Sequence, residues 1–141
     1  MIITLAEYWM GRDRTHGLLL STVIRANALR TVELANELLA RAGKEGIQLD
    51  AHPKSGSLVS SGWRPPIINE HTPGAAPNSK HLTAQAVDIY DPDGDLDEWC
   101  LVSADSHLAA IGLWLEHPSA TKGWCHVQTV PPNSKRRVFY P

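Results

Sequence analysis

Apolar residues recur at helical spacing through one long stretch of the chain. Val23, Ile24, Leu29, Val32, Ala35, Leu38, Leu39 and Ala42 fall mostly three or four positions apart, which predicts an amphipathic helix over 21–42 laid against a sheet. Gly43 marks its predicted end. Upstream, Thr4 followed by Glu7 has the form of a capping box and predicts a short helix over 4–10. Period two takes over further on. Ala86-Val87-Asp88-Ile89-Tyr90 alternates apolar and polar positions and predicts a half-buried strand.

Shorter apolar runs complete the outline. Ile47-Gln48-Leu49 and Leu58-Val59-Ser60 are strand candidates on either side of a Pro/Gly/Ser turn region. Residues 65–80 hold Pro65, Pro66, Pro73, Gly74 and Pro77 and read as a loop. The loop runs from Arg64 straight into His81, so an active-site loop is expected. Asp91-Pro92-Asp93-Gly94-Asp95 reads as a turn and helix cap, because its glycine and distal residues are not placed as a calcium loop requires. A helix over 96–110 follows and is expected to bury Trp99, Val102, Leu108 and Ala109. Gly112-Leu113-Trp114-Leu115 and Trp124-Cys125-His126-Val127-Gln128 are two further strands joined by a Pro/Ser/Gly loop. The expected fold is α+β, a small and mainly antiparallel sheet with two main helices, in a single domain spanning 1–141.

Composition narrows the partners. With 141 residues, 43% hydrophobic and 20% charged, the chain can bury a core without staples. A formal charge of -2 marks no basic surface for nucleic acid or anionic membrane. Lys135-Arg136-Arg137 reads as a solvated tail. Cys100 and Cys125 both neighbour tryptophans and read as buried thiols of a reducing compartment. The first residues lack the features of a secretory signal, and no apolar run approaches the roughly 20 residues of a membrane span. Synthesis in a cytoplasm, no membrane insertion and a monomeric state are therefore expected. His16, His52, His71 and His107 have no partner at recognisable spacing and read as surface residues. Trp114 and Trp124 are expected in the core rather than on a substrate platform.

The chemistry concentrates in Ser79-Lys80-His81-Leu82-Thr83-Ala84-Gln85-Ala86-Val87-Asp88 and in Trp124-Cys125-His126. His81 and Asp88, seven apart on a loop and the strand after it, can converge on one point. His126 lies in an apolar segment where an unpaired imidazole is costly. Three such groups are potential ligands for one zinc ion, whose fourth position takes water in catalytic sites. Such an ion lowers the pKa of water, which makes hydrolysis the chemistry to expect. Spacing alone does not choose between this reading and a core histidine bonded to backbone.

These residues, together with Ser61-Gly62-Trp63-Arg64, resemble the signature of the M15 zinc peptidases, which cleave peptidoglycan stem peptides as D,D-carboxypeptidases, D,D-dipeptidases or L-alanyl-D-glutamate endopeptidases. The similarity spans roughly 58–128. The opening Tyr8-Trp9-Met10-Gly11-Arg12-Asp13 is similar to phage and prophage members. The resemblance implies a hedgehog-like, D,D-peptidase-like fold, one Zn2+ held by His81, Asp88 and His126, and Arg64 binding substrate or polarising the scissile carbonyl. A fixed cation aimed at a developing oxyanion has large effects in a desolvated cleft. Ser79 is either a substrate contact or simply the start of the loop before His81.

One departure concerns the general base. Family members usually carry Glu or Asp three residues before the last histidine, where this chain has Gly123, and related peptidases use a histidine where it has Trp124. Glu116 is the nearest carboxylate and could face the metal if 112–116 and 124–128 pair as a hairpin, with His117 as the competitor. The function expected is zinc-dependent hydrolysis of peptidoglycan stem peptides by a phage or prophage cell-wall lysis enzyme, made without a signal peptide and released through a membrane lesion. A zinc-containing, non-catalytic binding or structural module of a phage particle is the alternative, and an intracellular dipeptidase is a third reading.

Overall fold

The computed structural model describes residues 2–141 and opens on the expected capping box: the Thr4 hydroxyl accepts from the Glu7 amide, the Glu7 carboxylate accepts from the Thr4 amide, and α1 (Leu5–Trp9) follows. A short α2 (Arg12–Thr15) leads to the long α3 (Thr22–Lys44), where Ser21 accepts from the Ile24 amide. The buried stripe of α3 runs through Ala28, Val32, Ala35, Leu38, Leu39 and Ala42. Val23 and Leu29 lie off that stripe and are exposed, contrary to the spacing argument. Gly43 does not stop the helix. The stop falls just beyond Lys44, at Gly46, whose φ of +92° most side chains avoid.

The remaining elements are β1 (Val59–Ser61), α4 (Pro66–Glu70), β2 (Ala86–Asp91), α5 (Asp95–Val102), α6 (Ala109–Ile111), β3 (Trp114–Glu116), β4 (Gly123–Gln128) and β5 (Val138–Phe139). They build an α+β fold around one five-stranded sheet of order β1-β2-β4-β3-β5, antiparallel except for the β3–β5 pair. Val87, Ile89, Leu115, Cys125 and Val127 join the buried residues of α3 in one hydrophobic cluster. Among the described residues no helix is long and apolar enough to cross a membrane.

Several expectations need correction. Ile47–Leu49 forms no strand. The loop 65–80 contains α4, because a proline at the first helical position sacrifices no hydrogen bond. The helix expected over 96–110 is broken by a π-turn at Ala104–Leu108, and Val102, off the buried Leu96–Cys100 face of α5, and Ala109 are exposed. Lys135 and Arg136 are exposed as a solvated segment should be, but the segment leads into β5 and Arg137 is engaged. Arg137 donates to the Leu113 carbonyl and stacks over Trp114, 4.3 Å from the ring centre. His107 is no isolated surface group: it meets Glu45 at 3.1 Å and stacks on Trp99.

The acidic turn is a cap, as expected. Both Asp91 oxygens accept from the amides of Leu96 and Asp97 at the start of α5. Asp97 in turn accepts from the Thr121 hydroxyl at 2.7 Å, and burial pushes its carboxyl up to about 6. Cys100 and Cys125 are buried free thiols with sulfurs 3.9 Å apart, as anticipated. A carboxyl raised above its unfolded value of about 3.9 contributes stability below pH 4 that is lost as pH rises through about 6. Asp97→Asn keeps the Thr121 bond and removes this loss. Its melting temperature at pH 8 should exceed the native chain's by on the order of 5 °C, with the two converging near pH 4. Equal melting temperatures at pH 8 would show that Asp97 is not strained by its burial.

Candidate metal centre

Strand pairing builds a row of side chains on the sheet face opposite the core. Ser61 of β1 lies across from Asp88 of β2, and Asp88 lies across from His126 of β4. Leu115 pairs with Val127, so the next residue, Glu116, continues the row on β3. Directly opposed residues of antiparallel strands share a face and bring their side chains within reach. The predicted hairpin of β3 and β4 thus forms, and it sets Glu116 beside His126, with a carboxylate oxygen 3.9 Å from Nδ1.

His81 enters from the loop, clamped by Ser61-Gly62-Trp63-Arg64. The Gly62 carbonyl bonds His81 Nδ1 at 2.7 Å, the Trp63 indole donates to the Leu82 carbonyl, and the Arg64 amide donates to the His81 carbonyl at 3.0 Å. Ala84, at φ +59°, ends the tight turn with its amide donating to the same carbonyl. The opening motif buttresses this clamp: Tyr8 donates to Ala86, Arg12 donates to Trp63, and the Gly62 amide meets Met10 Sδ.

The result is one focus. His81 Nε2 lies 3.3 Å from one Asp88 oxygen, and His126 Nδ1 lies 2.8 Å from the other. One ligand atom from each of the three residues lies within 4.8 Å of the other two. Ligands about 2.0–2.1 Å from a tetrahedral ion stand about 3.3 Å apart, so the spacing suits a small cation. Hydrogen-bond chemistry points the same way. His81 Nδ1 must donate to the Gly62 carbonyl, which leaves a neutral ring with a lone pair at Nε2. That nitrogen is buried and has no hydrogen-bond partner. A lone pair facing a carboxylate is unfavourable unless a cation lies between them. His81, Asp88 and His126 could therefore hold a metal ion, and the donor set of two imidazoles and one carboxylate suits zinc.

Electrostatics favour the ligand form at His81 and Asp88, while His126 holds a proton shared with Asp88 that an ion would displace. Burial lowers the His81 pKa, outweighing the attraction of Asp88, and keeps the ring neutral as a ligand must be. Burial works against ionised Asp88, yet the two histidines overcome it and hold the carboxyl well below its usual range. Burial also opposes charge on His126, but the bond to Asp88 prevails and its pKa rises. Glu116 is raised, by burial first, with Asp88 adding to the shift while His126 and Arg64 oppose it.

Arg64 is buried, not a surface arginine, and its positive charge is felt by both Asp88 and Glu116. Its Nη2 donates to Ser79 Oγ at 3.3 Å, while its buried Nε has no partner. Ser79 also accepts from the His81 amide, so the hydroxyl ties the arginine to the ligand loop. His117 is directed elsewhere. Its Nδ1 caps the turn at Ser119 and its ring stacks on Tyr140 at 4.6 Å. Gly123 pairs with Asp91 and falls on the core-facing side of β4 at φ +102°. That left-handed backbone conformation favours glycine over a residue with a carboxylate. Trp114 and Trp124 are partly exposed and alternate onto the same face as the triad, so neither lies in the core.

Two groups escaped the sequence reading. One is the Gly62 carbonyl, which no side-chain pattern reveals. The other is Gln128, which bonds His126 Nε2 at 3.1 Å and lies two residues beyond it on the same strand face, a signal that period two does carry. A Cβ on Gly62 would stand 1.9 Å from the Tyr8 carbonyl oxygen, so backbone must shift. Gly62→Ala is expected to cost about 1–3 kcal/mol and, by moving the carbonyl off His81, to weaken metal binding ~10-fold or more. Calorimetry and a chelator competition read the two effects; native values for both would remove Gly62 from the support of His81.

No protein-family model, curated protein or solved structure matches this chain.

Proposed function

We propose that this chain is a zinc-dependent peptidase of the M15 type that hydrolyses peptide bonds in peptidoglycan stem peptides, in the setting of a phage or prophage cell-wall lysis enzyme. The observation that carries the reading is the convergence of His81, Asp88 and His126, with a carboxylate and a buried arginine beside them. Zinc, when bound there, would supply Lewis acidity and a water of lowered pKa. His81 and His126 offer neutral nitrogens, and Asp88 supplies the compensating negative charge. Glu116 collects a proton from the attacking water and delivers it to the departing amine. Arg64 holds a fixed positive charge toward the oxygen on which negative charge develops.

Element analysis of the purified chain tests the first half: one zinc per chain is expected, and His81→Ala should be folded by circular dichroism yet depleted of metal. Incubation with purified peptidoglycan, followed by turbidity and mass spectrometry of the released muropeptides, tests the second half and identifies the bond cut. Stoichiometric zinc without cleavage of any peptidoglycan would favour a non-catalytic zinc module instead. Absence of zinc binding would remove both readings.

A further inference from the structure

The two imidazoles of the triad are held by different kinds of group. His81 is fixed by a backbone carbonyl, which mutation cannot delete. His126 is fixed by a side chain: its Nε2 lies 3.1 Å from Gln128 Oε1, and Gln128 is buried, at 4% exposure, where water cannot take over the bond. A glutamine presents an acceptor at one end and a donor at the other, so its orientation decides which tautomer of its partner is satisfied. That orientation is set two residues on. Gln128 Nε2 donates to the Val130 carbonyl at 2.9 Å, and a carbonyl can only accept, so the oxygen must be the end that meets His126. His126 Nε2 must then carry a hydrogen. Nδ1, which bonds Asp88 at 2.8 Å, is then the nitrogen that gives up its hydrogen to present a lone pair to an ion at the point shared with Asp88 and His81.

We propose that Gln128 is a positioning residue that locks His126 in the tautomer presenting Nδ1 to the metal, and thereby sets metal affinity without touching ion or substrate. The proposal rests on the reading of the triad as a metal site. Outer groups of this kind fix ring orientation and ligand basicity, and their loss typically weakens metal binding 10–100-fold. Sheet register leaves room for the device. Gln128 lies opposite Ala86 on one side and Trp114 on the other, so a long side chain can lie along β4 toward His126 without crowding from β2.

Two variants separate positioning from mere packing. Gln128→Leu keeps volume and burial but removes the acceptor. Gln128→Glu restores it, since a carboxylic acid at that position accepts from His126 with one oxygen and donates to Val130 with the other. Zinc dissociation constants come from chelator competition, the His126 tautomer from nitrogen-15 spectra of the zinc-loaded chain, and folding from the melting temperature without metal. Expected are a ~10–100-fold weaker constant for Gln128→Leu with a disturbed His126 signal, and a constant within a few-fold of native for Gln128→Glu. A native constant in Gln128→Leu overturns the proposal. So does equal weakening in both variants that follows their loss of metal-free stability. Failure of the native chain itself to bind zinc or cobalt is a different outcome and overturns the metal reading beneath the proposal.

Discussion

Glu116→Gln is expected to keep its metal and its fold while losing ~10²–10⁴-fold in kcat, the usual span for general acid–base catalysis. Peptide cleavage needs a proton on the departing amine, and a carboxylate beside the triad can collect it from water and pass it on. Glu116 meets the geometric requirement through β3–β4 pairing, with an oxygen 3.9 Å from His126 Nδ1. Its pKa is raised mainly by burial, which strengthens it as a base relative to an ordinary glutamate. Glutamine preserves size and polarity and removes only the basic oxygen. Metal content and substrate KM should therefore stay near native while turnover collapses. Activity within a few-fold of native would exclude Glu116. His117 would then have to act, although its ring is occupied by Ser119 and Tyr140.

The sequence revealed those elements whose signals are local. The capping box at Thr4 and Glu7 is a contact within a few residues, the α3 stripe and the alternation of β2 are periodic patterns along one segment, and each element formed close to where expected. The misses have tertiary causes. Gly43 stays helical because a glycine stops a helix only where the backbone turns left-handed, and that turn is made by Gly46, three residues on. β5 carries no periodic signal because two residues are too few for one; the parallel partner β3 and the Arg137–Trp114 stack define it. The candidate site divides in the same way. His81, Asp88 and His126 were legible as residue types, but only register shows that Asp88 and His126 are directly opposed. Gly62 acts through a backbone carbonyl, a group present all along any chain, whereas Gln128 acts through a side-chain amide whose only signal is its place two residues beyond His126.

The second large effect is expected at Arg64. Replacement by Ala should lower kcat/KM by ~10²–10³-fold, the loss typical of removing one donor to a developing oxyanion. The side chain is buried, bound to Ser79 by one nitrogen only, and exerts its charge on Asp88 and Glu116. A buried guanidinium with an unpartnered Nε is an expensive arrangement for a purely structural residue. Because the truncation also leaves a cavity, some loss of thermal stability will accompany the kinetic effect. The rate must therefore be measured on folded, zinc-loaded variant. Arg64→Lys refines the reading, since it retains a charge but not the planar fork. It should recover part of the Coulombic contribution and little of the directional one, leaving an intermediate rate. Ser79→Ala provides the control for anchoring, because it releases Arg64 without removing its charge and should cost far less than Arg64→Ala. A folded, metal-loaded Arg64→Ala variant turning over at the native rate would assign Arg64 to the support of the His81 loop, through its backbone amide alone.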